Sequence, residues 1–286
     1  MANVIKLKRG TSTPTTSDIT SGEVALDTSA QKFYVNDGGT VKEIGGGGGL
    51  TSDAQKNTVG GTNAGDSFTG TDANNNTLIG FDAGTSITSA DHSTAVGMDA
   101  LKSVTTAYGN TGIGKAAGDS LTTGQQNTCL GLSAGQSLTT QSQNVCVGED
   151  AMGQTKGTNN TSVGFQSMSL AYFGDYNVAL GSKALKVVGG SSDGSGGDYN
   201  IAIGYKAGDA LETGNNNIII GYNAAATSDS TSNEITLGNT DITKFRIPAL
   251  SFSISASAVT NGAAFYENAK TVAADYTLSG SNAMAA

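Results

Sequence analysis

Few side chains in this chain of 286 residues are equipped for chemistry, and those few follow a spacing rule. Cys129 and Cys146 are its two cysteines, and each stands two residues before a glycine, Gly131 and Gly148. Stacked copies of one repeat would lay the thiols side by side, the arrangement of a disulfide or a shared metal. The same slot holds Ala95, Gly112, Ser162, Ala179 and Ala202 in other copies, so it selects small side chains. A cysteine that packs as a small hydrophobe is therefore the expectation.

His92 is the one histidine, so a histidine triad or a zinc site would have no second imidazole. It stands at the opening of a repeat and reads as a solvated corner residue. Asp82, Asp99 and Asp150 share a repeat position, and glycoside cleavage requires two carboxylates converging in a groove. Ala116, Ser133, Gln166 and Lys183 interrupt that row, which leaves a solvated face. Neither a phosphate-cradling glycine loop followed by lysine nor a nine-residue calcium repeat occurs. The expectation is no catalytic residue, no cofactor and no metal.

The element that positions these residues is a repeated phrase. It reads Asn110-Thr111-Gly112-Ile113-Gly114, then Asn127-Thr128-Cys129-Leu130-Gly131, then Asn144-Val145-Cys146-Val147-Gly148. Copies aligned by the closing glycine run through Gly80, Gly97, Gly114, Gly131, Gly148, Gly164, Gly181, Gly204, Gly221 and Gly238, mostly seventeen residues apart. Asn57 to Gly65 is a degenerate first copy. A period of this size sustained along a chain is the signature of a solenoid.

Just before the glycine stands an aliphatic residue such as Ile79, Val96 or Ile113. Two places earlier comes a β-branched one such as Thr77, Thr94 or Thr111, with a small residue between. Alternate residues face one side of a strand, so each copy holds one short strand with a β-branched and aliphatic face. The asparagines that open the phrase would hydrogen-bond along the stack as a ladder and would tolerate the left-handed corner a rung requires. Ala83, Ala100, Ala117 and Ala134, three residues after the glycine, ask for close approach of another backbone, across the rung or from a neighbouring chain. Ala117 to Leu121 fits a second strand and one helical turn equally. A rung of this size buries little alone, so stacking must supply the core.

The composition agrees: 41 glycines, 2 prolines, 14% charged residues and no tryptophan suit a turn-dense fibrous β protein better than an ordinary globule. The net charge of −9 lies outside residues 1–44, where five basic and five acidic residues balance. No basic stripe offers itself to a phosphate backbone, so nucleic acid is not an expected partner. There is no apolar run long enough to span a membrane, and no charged-then-apolar leader at Met1-Ala2-Asn3-Val4, so membrane insertion is not expected and synthesis in a cytoplasm is.

Four regions follow. Residues 1–44 form a small β module: a strand at Val4-Ile5-Lys6-Leu7-Lys8, another at Val24-Ala25-Leu26, and a hairpin from Phe33-Tyr34-Val35 through Asn36-Asp37-Gly38-Gly39. So short a unit has little core and needs a docking surface. Residues 45–56 begin with five glycines and read as a linker. Residues 57–238 are the repeat shaft, from which a glycine-rich loop at Gly189–Gly197 bulges. Residues 239–286 are a C-terminal β segment, with Ile242, Phe245, Ile247, Leu250, Phe252 and Ile254 alternating around Pro248.

The repeated Asn-Thr-x-Ile-Gly-x-x-Ala-Gly phrase is similar to the head repeats of trimeric autotransporter adhesins, and the same phrase occurs in phage tail-fibre shafts. Ile5-Lys6-Leu7-Lys8-Arg9-Gly10-Thr11 with Gly22-Glu23-Val24-Ala25-Leu26-Asp27 and Lys32-Phe33-Tyr34-Val35-Asn36-Asp37-Gly38 resembles the N-terminal module of phage tail-fibre and receptor-binding proteins. Asn233-Glu234-Ile235-Thr236-Leu237-Gly238 through Pro248 resembles the end of such shafts.

The resemblance implies an all-β fold: a fibrous β-solenoid, or β-roll, of about 17-residue rungs in an intertwined or side-by-side homotrimer. It implies a virion tail fibre, assembled in the host cytoplasm, that binds phage tail or adaptor proteins through residues 1–44. Ile5, Lys6, Leu7, Lys8, Arg9, Phe33 and Tyr34 are the docking candidates. A host cell-surface glycan or protein would be met at the distal end or on the loop, where Gly189, Ser191, Asp193 and Ser195 are the candidates. A bacterial trimeric surface adhesin and a fibre-borne polysaccharide depolymerase are the alternatives. For the latter, Tyr108, Tyr172, Tyr176, Tyr199, Tyr205 and Tyr222 offer sugar-stacking surface.

Overall fold

The computed structural model describes residues 8–28, 32–44, 50–69, 71–189, 196–247 and 252–255. Every regular element among them is a β-strand. Met1–Thr236 forms one compact unit and Leu237–Ala286 a second.

Near the N-terminus, β1 (Lys8–Gly10), β2 (Val24–Asp27), β3 (Lys32–Asp37) and β4 (Thr40–Ile44) make a four-stranded sheet in sequence order. The expected hairpin joins β3 to β4, with Asp37 opposite Thr40 and two left-handed glycines, Gly38 and Gly39, in the turn. Two consecutive positive-φ residues match the twist of the flanking strands, which is why glycine stands at both places. Ala25 in β2, Tyr34 in β3 and Ile19 in the turn before β2 are buried apolar residues of this region. Val4 to Leu7 and the linker glycines 45–49 lie outside the described residues.

The shaft is one sheet of twelve strands, from β5 (Thr51–Ser52) and β6 (Thr58–Gly60) through to β16 (Ile235–Leu237), stacked in sequence order. β5 lies antiparallel on β6 and covers the first rung. From β6 onward the pairing is parallel and in register, so Thr111 sits beside Thr128, and Cys129 beside Cys146. This is a β-solenoid whose successive strands come from successive repeats. At the usual strand spacing of about 4.8 Å, it is on the order of 50 Å long. In the second unit, β17 (Lys244–Ile247) and β18 (Phe252–Ser255) form an antiparallel pair.

Each strand has only three residues because a corner stops it at both ends. After it comes the rung glycine: Gly97 has φ +131, and a Cβ there would lie 2.6 Å from the carbonyl oxygen of Gly114 in the next rung. From Gly80 to Gly204 a side chain at this column would meet the backbone of the next rung, which cannot yield. Before the strand, the left-handed residue is one place earlier than expected. His92, Gln126, Gln143 and Tyr176 have φ of 57, 57, 62 and 56, whereas Ser93, Asn127, Asn144 and Asn177, which follow them, do not have positive φ. The asparagine is thereby released from making the turn and can aim its amide inward.

The alternation within the strand resolves with the small residue inside. Ala95, Cys129, Ala179 and Ala202 are fully buried, whereas Ile113, Leu180 and Ile203 are 42%, 47% and 37% exposed. The interior is too narrow for large residues at this place in every rung. A Cβ on Gly112 would fall 2.8 Å from the Leu101 side chain and 2.9 Å from the Ala117 carbonyl oxygen. The backbone that the alanine column approaches is thus the opposite wall of the same solenoid.

The second half of the repeat is neither a strand nor a helical turn. It is a series of tight turns in which alternate residues are left-handed: Asp99 and Leu101, then Asp150 and Met152, then Gln166 and Met168. The N–H of Lys102 bonds the carbonyl of Asp99 within the rung, while that of Leu101 bonds Ala117 in the next rung. Leu101, Met152, Met168 and Leu185 are fully buried here, together with Leu121 and Leu138 from the next turn. Each such side chain contributes roughly 1.5–3 kcal/mol on burial.

Candidate functional site

The asparagine column is the most elaborate polar array of the chain, and it is wholly internal. The side-chain oxygen of Asn127 accepts from the backbone N–H of Asn144 (3.0 Å) and from its Nδ2 (3.1 Å). The Nδ2 of Asn144 also donates to the Gly157 carbonyl across the rung, at 3.0 Å. The same pattern links Asn110 to Asn127 and Asn200 to Asn217. All these asparagines are fully buried, so they present nothing to a ligand. Ser93 breaks the column: its hydroxyl is buried without a partner. Asn177 Nδ2 is also unpartnered: in other rungs the accepting carbonyl lies three residues before the next asparagine, and here that place is Gly197, where the inserted loop ends.

A second ladder runs two residues earlier, with opposite polarity. The Asp175 carboxylate accepts from the Thr158 N–H at 2.7 Å, Asp198 from the Asp175 N–H at 2.9 Å, and Asn215 from the Asp198 N–H at 2.7 Å. Asp91 and Ser142 do the same for Asn74 and Gln125. Here the next rung's side chain caps the preceding rung's backbone, the reverse of the asparagine column. The sequence signal is Asn, Asp or Ser six residues before the glycine, interrupted at Tyr108, Gln125 and Thr158.

The residues with reactive chemistry are placed as the packing reading expects. Cys129 and Cys146 are free, buried and adjacent. The Cys129 thiol and burial together push the Cys146 thiol well above its ordinary value, so the nucleophilic thiolate is suppressed. His92 is an exposed corner residue whose ring meets Tyr108 edge-on at 5.5 Å. Asp82 and Asp99 lie on an outer left-handed corner, and Lys102 bridges them at 3.2 and 2.8 Å. Asp150 occupies the same corner, beside Gln166. Among the described residues no group of His, Cys, Asp or Glu is arranged to hold a metal ion, and no helix is long and apolar enough to cross a membrane.

Of the tail-docking candidates, Lys8 and Arg9 are exposed in β1, where Lys8 pairs with Glu23 at 2.7 Å. Hydrogen bonds from Lys8 and from the Thr20 N–H lower the Glu23 carboxyl to about 2. Phe33 is 42% exposed, whereas its neighbour Tyr34 is buried and is not presented. An open recess of about 340 Å³ beside them is lined by Lys8, Arg9, Pro14, Asp18 and Ile19. Ile5, Lys6 and Leu7 lie outside the described residues. In the loop, Gly189 is buried against Phe173 and Gly174, and Ser191, Asp193 and Ser195 lie outside the described residues.

Four of the six tyrosine candidates form two stacked pairs. Tyr176 and Tyr199 precede the asparagine in their repeats and stack at 5.1 Å and 7°. Tyr205 and Tyr222 follow the glycine and stack at 5.7 Å and 15°. Each ring spends one face on its partner and stays exposed elsewhere, Tyr199 at 58% and Tyr222 at 63%.

What remains exposed and continuous is the outer face of the strands. No family model matches the chain, and neither the curated proteins nor the solved structures contain a match.

Proposed function

We propose that this chain is a virion structural protein: a phage tail fibre that attaches to the tail through residues 1–44 and presents a homotrimeric shaft for adsorption to the host surface. The observation that carries the reading is the contrast between a closely packed, hydrogen-bonded interior and an exposed apolar strand face along a rod. The interior spends its asparagines and cysteines on stacking, which leaves rigidity as its product. A rod of this kind acts by projection and multivalency, since several weak contacts on three chains sum to firm attachment. The receptor would be a cell-surface glycan or protein met at the distal end or beside Gly189–Gly197.

Labelling intact virions with an antibody to residues 1–44 tests the reading. Label at the tail junction is the expected result, whereas label at the free tip reverses the polarity and no label on any particle removes the virion assignment. Capsular polysaccharide or lipopolysaccharide incubated with the protein is expected to remain uncut.

A further inference from the structure

We propose that copies of this chain associate through the outer face of the strands, and that the face has two zones. The dry zone lies in the C-terminal half of the shaft and the wet zone in the N-terminal half. The proposal rests on the fibre reading and names the surface that reading requires.

The dry zone is formed by β13 (Val178–Leu180), β14 (Ile201–Ile203) and β15 (Ile218–Ile220), whose outward residues are Val178, Leu180, Ile201, Ile203, Ile218 and Ile220. All six are partly or largely exposed, although each strand's middle residue is fully buried. The two tyrosine stacks border it, continuing the outward alternation one place beyond each end of the strands. Val178, Leu180, Ile201, Ile203, Ile220 and the four tyrosines are each between 36% and 63% exposed. Stacked tyrosines bordering an aliphatic strip are the composition of an interface core, where charge is depleted and aromatic residues are enriched.

In the wet zone the first outward column is Thr77, Thr94, Thr111 and Thr128, where the dry zone has valine or isoleucine. The second column stays aliphatic, at Ile79, Val96, Ile113 and Leu130. A threonine hydroxyl keeps its water or finds a partner, so this half binds more weakly per rung.

The partner is fixed by the repeat itself. Neither outward column contains a charged residue from Thr77 to Ile220, and both recur at every rung with the spacing of a parallel sheet. A surface that recurs about every 4.8 Å along a rod stays matched only to a partner of the same axial repeat, which a second copy supplies. A glycan or a globular protein would meet a few rungs and leave the others exposed.

The test is the mass of the full chain by sedimentation equilibrium, with circular dichroism as the check on folding. The parent is expected at three times the chain mass, and Ile203→Lys with Ile220→Lys at one chain mass with its β signal retained. Thr94→Lys with Thr111→Lys is expected to stay trimeric, with association weakened less than tenfold. A milder pair, Ile201→Thr with Ile218→Thr, gives the dry zone the composition of the wet one. It covers the case in which the lysines prevent folding, and association at least tenfold weaker is expected. If the Ile203/Ile220 and Ile201/Ile218 variants associate like the parent, this face is not the interface although the trimer stands. Equal loss from the threonine pair overturns the two zones. A monomeric parent at all concentrations removes the fibre reading together with the interface.

Discussion

Inward and outward side chains of the same three-residue strands follow opposite rules. Inside, volume is traded between neighbours. Leu78 is accompanied by Gly84, whose added Cβ would lie 2.8 Å from it, whereas Ala95 is accompanied by Leu101 and Ala179 by Leu185. Outside, large apolar residues recur without cover among the described residues, Leu180 at 47% and Ile203 at 37% exposure. An ordinary one-sided sheet would turn polar residues to water at those places. The interior is therefore explained by the folding of one chain, whereas the outer face is the surface proposed above for self-association. Substitutions on the two faces should separate accordingly: inner ones change whether the rungs stack, outer ones change what the rod joins.

The largest effect is expected in the glycine column. Gly114 has φ +131, and a side chain would strike the carbonyl of Gly131. Gly114→Val combines strain with a backbone clash, and more than about 4 kcal/mol of destabilisation is expected. Guanidinium unfolding of the full chain should show no cooperative shaft transition of parental midpoint. A transition within about 1 kcal/mol of the parent would refute the stacked-glycine account.

Next comes the asparagine ladder. Asn127→Ala strips the acceptor from the Asn144 N–H and the donor from the Gln141 carbonyl, in a fully buried column. Two polar groups left without partners cost about 2–4 kcal/mol together. The outward control one residue on, Thr128→Val, should change stability by less than about 0.5 kcal/mol. Similar losses from both would erase the distinction between the faces.

Ser93 permits the opposite experiment, since its buried hydroxyl has no partner where other rungs place asparagine. Ser93→Asn would offer its oxygen to the Asn110 N–H and its amide to the Ala107 carbonyl, fourteen residues on. A gain of about 1 kcal/mol is expected, read as a higher unfolding midpoint with an unchanged slope.

The solenoid, its period and its asparagine ladder were legible because stacking in register makes each rung solve the same problem with the same residue. Which strand face points inward was not, since alternation is symmetric until something states the width of the interior. That width is set by Leu101, Met152 and Leu185, which enter from left-handed positions no pattern associates with leucine or methionine. The corner before the asparagine was misplaced by one residue because no single type marks it: Asn75, Asn159, Asn216 and Asn233 occupy it in some rungs, and His92, Gln126, Gln143 and Tyr176 in others. The second ladder stayed hidden because Asn, Asp and Ser replace one another along it. Among the reactive residues, the small-residue slot correctly marked Cys129 and Cys146 as packing, since Ala and Gly at the equivalent places share no chemistry with a thiol.

The smallest expected effect lies where the ladder ends. Glu234 stands at the asparagine place, and its N–H donates to the Asn217 side-chain oxygen at 2.9 Å. Its carboxylate accepts from the hydroxyls of Thr236 at 2.6 Å and Thr227 at 2.7 Å, and these bonds lower its pKa from the ordinary 4.5. A carboxyl with a depressed folded pKa adds stability above its unfolded value, and loses it as pH falls through the folded one. The last rung should therefore loosen at pH below 4.5, while the amide column from Asn110 to Asn217 has nothing to titrate. Hydrogen-exchange protection of the Ile218 and Thr227 amides is expected to fall across that range, with protection at Val145 unchanged. Glu234→Gln should flatten the response, because a neutral amide keeps acceptor and geometry at every pH. A fall at Val145 as large as that at Ile218 would mean that acid acts on the shaft as a whole, and the contrast between an uncharged interior and its charged terminus would be lost.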